Sequence, residues 1–112
     1  MKREFVLRSK KDFSRLKNKG KSIPGRYCIL VYLPNDLGIN RKAFLASKKV
    51  GNSVERHRAT RLLREGFRLM EKEHDVPQGM DFLLIARNSI LDSKCADVKK
   101  NIEAAMKKAG FI

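Results

Sequence analysis

Residues 53–72 carry the pattern that leaves this chain least freedom of fold. Stepped at about 100° per residue, Ala59, Leu62, Leu63, Gly66, Phe67, Leu69 and Met70 fall on one side. Arg58, Arg61, Arg64, Arg68 and Lys72 fall on the other, with His57 among them. Such a segment is a long helix that must bury one face against another element. Asn52, with Glu55 three residues on, has the form of its N-terminal cap. The outer face is a row of guanidinium groups, whose planar forks match phosphate oxygens two at a time. A merely solvated face would interleave acids at i±4, yet only Glu65 lies within it, with Glu71 at its margin. A membrane-surface helix would turn its apolar side to lipid, and here the core claims that side.

The remaining elements follow from period and punctuation. Ser9 with Asp12 matches a capping box, so a short helix follows and stops near Gly20, with Phe13 and Leu16 on one face. Residues 26–33 read as a strand, with Tyr27, Ile29, Val31 and Leu33 on one side and Cys28, Leu30 and Tyr32 on the other. Residues 35–40 form a turn and 41–47 a second strand, expected to pair with the first as an antiparallel hairpin. Residues 81–86 are apolar on both faces, as an interior strand requires. A final helix spans about 93–109, with Val98, Ile102, Ala105 and Ala109 on its buried stripe, and a further short strand fits at 21–24. The expectation is α+β: one domain over residues 1–112, with helices layered on one sheet.

Charge is distributed in blocks. The 112 residues hold 26 Lys and Arg against 12 Asp and Glu, a formal net charge of +14. All of that surplus lies in residues 1–21 and 41–72; residues 22–40 and 73–112 are each neutral. A cationic surplus concentrated in this way is the electrostatic footprint expected opposite a polyanion. With 42% hydrophobic residues, a real core is still available.

Several chemistries have no support. The longest apolar run, residues 27–34, is far short of the ~20 needed to span a bilayer. The charged start, Met1-Lys2-Arg3-Glu4, does not resemble a signal peptide. Cys28 and Cys95 sit in apolar patterns and read as buried thiols of a reducing compartment, so a cytoplasmic location is expected. His57 and His74 lack zinc-ligand spacing. No P-loop, nucleophilic triad or paired-carboxylate motif is present. Phe13, Tyr27, Tyr32 and Phe44 fit a core, and also fit a stacking platform for single-stranded RNA on an open sheet face.

Residues 47–68 resemble the signature of the bacterial ribonuclease P protein subunit, approximately S-K-K-x-G-N-A-V-x-R-N-R-x-K-R-x-x-R-E-x-F-R. The Asp12-Phe13 pair with Leu16, Gly20, Arg26 and the strand at 81–87 extend the resemblance over most of the chain. Three positions depart from the pattern: His57 replaces the usual Asn, Thr60 a Lys, and Lys17 a second aromatic. The resemblance implies a two-layer α-β-β-β-α-β-α sandwich with a central four-stranded sheet and a left-handed β-α-β crossover, although about 98% of such connections are right-handed. It implies binding to the catalytic RNA of ribonuclease P and to the 5′ leader of precursor tRNA, with Mg²⁺ held mainly by the RNA. It places Lys48, Lys49, Asn52, Arg56, His57, Arg58 and Arg68 toward the RNA subunit, and Phe13, Lys17, Ile29, Val31, Arg61 and Arg64 toward the leader. A 1:1 complex is expected, with no catalytic residue on the protein. The alternative is a basic ribosomal or other structured-RNA-binding protein with no processing role.

Overall fold

A computed structural model describes residues 10–112. The elements run α1 (Lys10–Lys19), β1 (Lys21–Pro24), β2 (Cys28–Pro34), β3 (Arg41–Leu45), α2 (Ser53–Glu73), β4 (Met80–Ala86), a 3-10 turn (Asn88–Asp92) and α3 (Cys95–Ala109). The expected Ser9 cap lies outside the described residues. The short strand at 21–24 is present.

The expected hairpin between residues 26–33 and 41–47 does not form. The sheet order is β1-β2-β4-β3, so β4 separates the two strands. β4 pairs antiparallel with β2 and parallel with β3. Burial accounts for this: Phe82, Leu83 and Leu84 are fully buried on alternating faces, so the strand must lie inside the sheet. A parallel pair needs a crossover of a dozen or more residues, and α2 supplies it. The 35–40 segment closes over the entry to β4 instead of making a tight turn. Asn35 N–H donates to the Gly79 carbonyl at 2.9 Å, and Met80 N–H to Asn40 Oδ1 at 2.9 Å.

The two sheet faces are unequal. Leu30, Phe82, Leu84, Leu63, Phe67, Met70, Ile102 and Met106 belong to the large core beneath α2 and α3. Leu16, Val31, Ala43 and Leu83 form a small one beneath α1, with Phe13, Ile29, Leu33 and Ile85 half-buried around it. Cys28 is buried in the large core, and burial pushes its thiol pKa up to about 12. Cys95, expected to be buried, is half-exposed because it opens α3 at the surface. Ala109, expected on the buried stripe of α3, is only partly covered. Tyr27 precedes β2 and packs toward the large core, not toward the α1 face where simple alternation placed it. α2 and α3 approach closely at Gly66, where an added Cβ would lie 2.9 Å from Val98 Cγ1.

A buried carboxylate fastens α1 to the sheet. Asp81, fully buried, accepts from Arg41 Nε at 2.9 Å and Nη2 at 2.8 Å, from Arg15 Nη2 at 3.0 Å and from Asn35 Nδ2 at 2.8 Å. Arg41 also reaches Asp12 at 3.2 Å. These hydrogen bonds, led by those to Asp81, raise the Arg41 pKa. One small apolar cluster could not hold a ten-residue helix alone, and the ion network supplies direction as well as attraction.

Candidate nucleic-acid interface

The arginine helix begins at a rigid corner. Glu55 N–H donates to Asn52 Oδ1 at 2.9 Å, and Asn52 N–H donates back to Glu55 Oε1 at 3.0 Å. Both partners of this capping box are therefore satisfied within the corner. Val50, buried, pins the turn that carries the exposed Lys48 and Lys49. Ala59, Leu63, Gly66, Phe67 and Met70 are buried, so the opposite side of α2 must face solvent.

His57, Arg58, Arg61, Arg64 and Arg68 are all exposed on that side. Arg58, Arg61, Arg64, Lys48 and Lys49 pair with no carboxylate among the described residues. Arg64 stacks on Phe44, with its guanidinium 5.5 Å from the ring centroid. That contact holds it at the β3 edge of the sheet and leaves its N–H groups free for an anion. Arg68 is paired with Glu65, its Nε 3.2 Å from Oε2. Hydrogen bonding from Arg68 holds the Glu65 carboxyl below its ordinary pKa. Arg56 lies off the row as the helical period requires, half-buried, and its Nε meets no acceptor among the described residues.

The residues implied for the leader do not share one face. Phe13, Ile29 and Val31 lie on the α1 side of the sheet, and Lys17 is exposed on α1. Arg61 and Arg64 project from α2, which packs on the other side. The β3 edge, marked by Phe44 and Arg64, is where the two sides meet. Val31 is 7% exposed and supports the floor beneath α1 more than it presents a surface. Of the four aromatics, Tyr32 packs edge-on against Phe111 and Phe44 packs against Phe67. Phe13 is half-exposed at the open end of the small cluster.

Lys94 was not legible as part of this surface. It lines a cavity of about 470 Å³ with Arg58, Arg61, Glu65 and Cys95, where the start of α3 meets α2. No local pattern links positions so far apart in sequence. Conversely, Arg15 and Arg41 lie in the two basic blocks but are taken up by Asp81. Among the described residues, no group of three or more His, Cys, Asp or Glu side chains is placed to hold a metal ion. None of the described helices is long and apolar enough to cross a membrane.

A layered α+β fold that buries one side of its crossover helix and presents unpaired arginines on the other has the form of a basic nucleic-acid-binding protein. The family is narrower than that class. The Ribonuclease P family model matches residues 1–110. The chain is 39% identical over 104 residues to the ribonuclease P protein component of Pelotomaculum thermopropionicum, covering 93% of this chain and 91% of that one. Identity is also 39%, over 109 residues, with the component from Clostridium botulinum strain Loch Maree, covering 97% of each. The Staphylococcus aureus RNase P protein superposes with a TM-score of 0.81 at 28% identity over 96% of both chains. The Thermotoga maritima RNase P protein shares the fold, with a TM-score of 0.78 at 23% identity over 92% of this chain and 96% of that one. The chain belongs to the ribonuclease P protein family.

Proposed function

We propose that this chain acts as the protein subunit of ribonuclease P. It binds the RNA subunit and the single-stranded 5′ leader of precursor tRNA, and assists endonucleolytic removal of the leader to leave a 5′-phosphate end. The observation that carries this reading is the row of exposed guanidinium groups at Arg58, Arg61 and Arg64, unmatched by carboxylates and mounted on a helix whose other face is buried.

Lys48, Lys49, Asn52, Arg56, His57, Arg58 and Arg68 serve as the contact surface for the RNA subunit. Asn52 has committed its side-chain oxygen to the helix cap and offers its amide N–H groups. Arg68 exchanges the Glu65 carboxylate for a phosphate, a like-for-like charge-assisted swap. Phe13, Lys17 and Ile29 on one side of the sheet, with Val31 as the floor beneath them, and Arg61 and Arg64 at the other, serve the leader, which then passes the β3 edge. His57 donates to RNA through a ring N–H in place of an amide.

Mg²⁺ belongs with the RNA in this reading, as does the hydrolysis. The protein contributes position: each phosphate it neutralises releases counterions and makes binding salt-dependent. The stoichiometry is one protein per RNA, and the compartment is the cytoplasm.

Reconstitution tests the proposal. The protein with a ribonuclease P RNA should cleave precursor tRNA at Mg²⁺ concentrations where the RNA alone is slow. Cleavage by the protein without RNA would sink it. Affinity that ignores leader length would reduce the chain to a general structured-RNA binder.

A further inference from the structure

At the sheet edge remote from the arginine helix, β1, the β1–β2 turn and α3 enclose a groove of about 490 Å³. It lies in the two electrically neutral sequence segments, yet folding gathers Arg26, Lys100 and Lys108 around it against a single acid, Asp97. The Arg26 guanidinium stacks over the Tyr27 ring, 5.3 Å from its centroid. The Tyr27 backbone is held on both sides, its N–H donating to Asn101 Oδ1 at 2.7 Å and its carbonyl accepting from Arg87 N–H at 2.9 Å. Cys28 N–H also donates to Asn101 Oδ1, at 3.3 Å. These two bonds fix the amide orientation, and Asn101 Nδ2 is left without an acceptor among the described residues. The floor is apolar, with Ile23, Pro24 and Ala105.

We propose that this groove is a second nucleotide-binding site, which takes one or two residues of single-stranded RNA. The inference rests on the RNA-binding reading above and adds a contact to it. The chemistry is divided as a nucleotide requires. Tyr27 and Arg26 offer a preorganised stacking edge for a base. Asn101 Nδ2 donates to a base carbonyl or ring nitrogen, and Asp97 accepts from an exocyclic amine or a ribose hydroxyl. Lys100 and Lys108, both exposed on α3, face the phosphates. β1 and β3 are opposite edges of the sheet, so RNA held here is a different stretch from that held at α2.

A short single-stranded RNA bearing 4-thiouridine, photocrosslinked to the full chain and mapped by mass spectrometry, tests this. Crosslinks at Tyr27 are expected beside those on α2. Lys100→Glu combined with Lys108→Glu should remove the Tyr27 crosslinks while those on α2 persist. The log–log salt slope should flatten by about 0.7 for each lost contact. Crosslinks confined to α1 and α2, with an unchanged slope in the double variant, would overturn the groove and leave the subunit reading intact. RNA that crosslinks nowhere would overturn both. Displacement of the RNA from Tyr27 by an acidic peptide at lower concentration would assign the groove to a protein partner and overturn the proposal.

Discussion

Asp81 and Glu65 each meet arginine, and the contrast between them separates the part of the cationic surplus that builds the fold from the part that faces outward. Asp81 is fully buried and gathers Arg15 from α1, Arg41 from β3 and Asn35 from the connecting loop. Glu65 holds a single neighbour one turn along the same helix, at the surface, with its side chain 40% exposed. A buried carboxylate cannot lose its partners without being left as an uncompensated charge. An exposed one exchanges its partner for solvent or for phosphate at little cost. Two arginines from the basic blocks are thus internal structure, while those of α2 remain available to a ligand.

The largest effect that would sharpen this contrast is Asp81→Ala. Loss of the carboxylate leaves Arg15 without its acidic partner and Arg41 with Asp12 alone, and should destabilise the fold by about 3 kcal/mol in urea unfolding. A change under about 0.5 kcal/mol would equate Asp81 with a surface acid. Next is Gly66→Ala on the buried side of α2, where the new methyl presses on Val98. Overpacking outweighs the gain in helix propensity, for a net loss of about 1 kcal/mol. An increase in stability there would show that α3 yields freely.

On the exposed side, Arg64→Ala should leave the unfolding midpoint unchanged within error. It should weaken RNA binding and flatten the salt slope by about 0.7. Unchanged affinity and slope would remove Arg64 from the interface. Smaller still is Glu65→Gln, which frees Arg68: RNA affinity should rise slightly, and weaker binding would show that the pair is needed to orient Arg68. Because the folded Glu65 pKa is lowered, its contribution to stability is present above the ordinary carboxylate range and fades as pH falls through the lowered value. That contribution should shrink in high salt. The cysteines give a last contrast: at neutral pH a thiol reagent should modify half-exposed Cys95 and spare Cys28, whose pKa is pushed up to about 12. Between about 9 and 12 the unfolded chain gains a Cys28 thiolate that the folded chain resists, so stability should fall as pH rises across that window.

Much of the architecture was legible because its signals are local. Asn52 and Glu55 announce the start of α2 three residues apart, and the buried set Ala59, Leu63, Gly66, Phe67 and Met70 follows directly from helical period. Gly20 ends α1 at a point where an added Cβ would clash with the Leu16 carbonyl oxygen and lie 3.0 Å from Val31 Cγ1. The motif at 47–68 identified the family. The pairing of residues 26–33 with 41–47 failed because adjacency along the chain favours a hairpin, whereas β4, apolar on both faces, takes the place between β2 and β3. The interface was legible residue by residue but not as a surface: Phe13 and Arg61 fall on opposite sides of the sheet, and Lys94 joins Arg58 only across the α2–α3 junction.

The sequence by itself determined the helix with one apolar and one cationic face, its cap, the interior strand and the family, since each rests on residues within a few turns of one another. Tertiary structure alone decided which cations stay free. Whether an arginine meets a carboxylate depends on partners tens of positions away, as Arg15 does with Asp81. It alone also drew Arg26 and Lys100, from segments of zero net charge, to the same groove, because charge summed along a chain carries no record of what folding sets side by side.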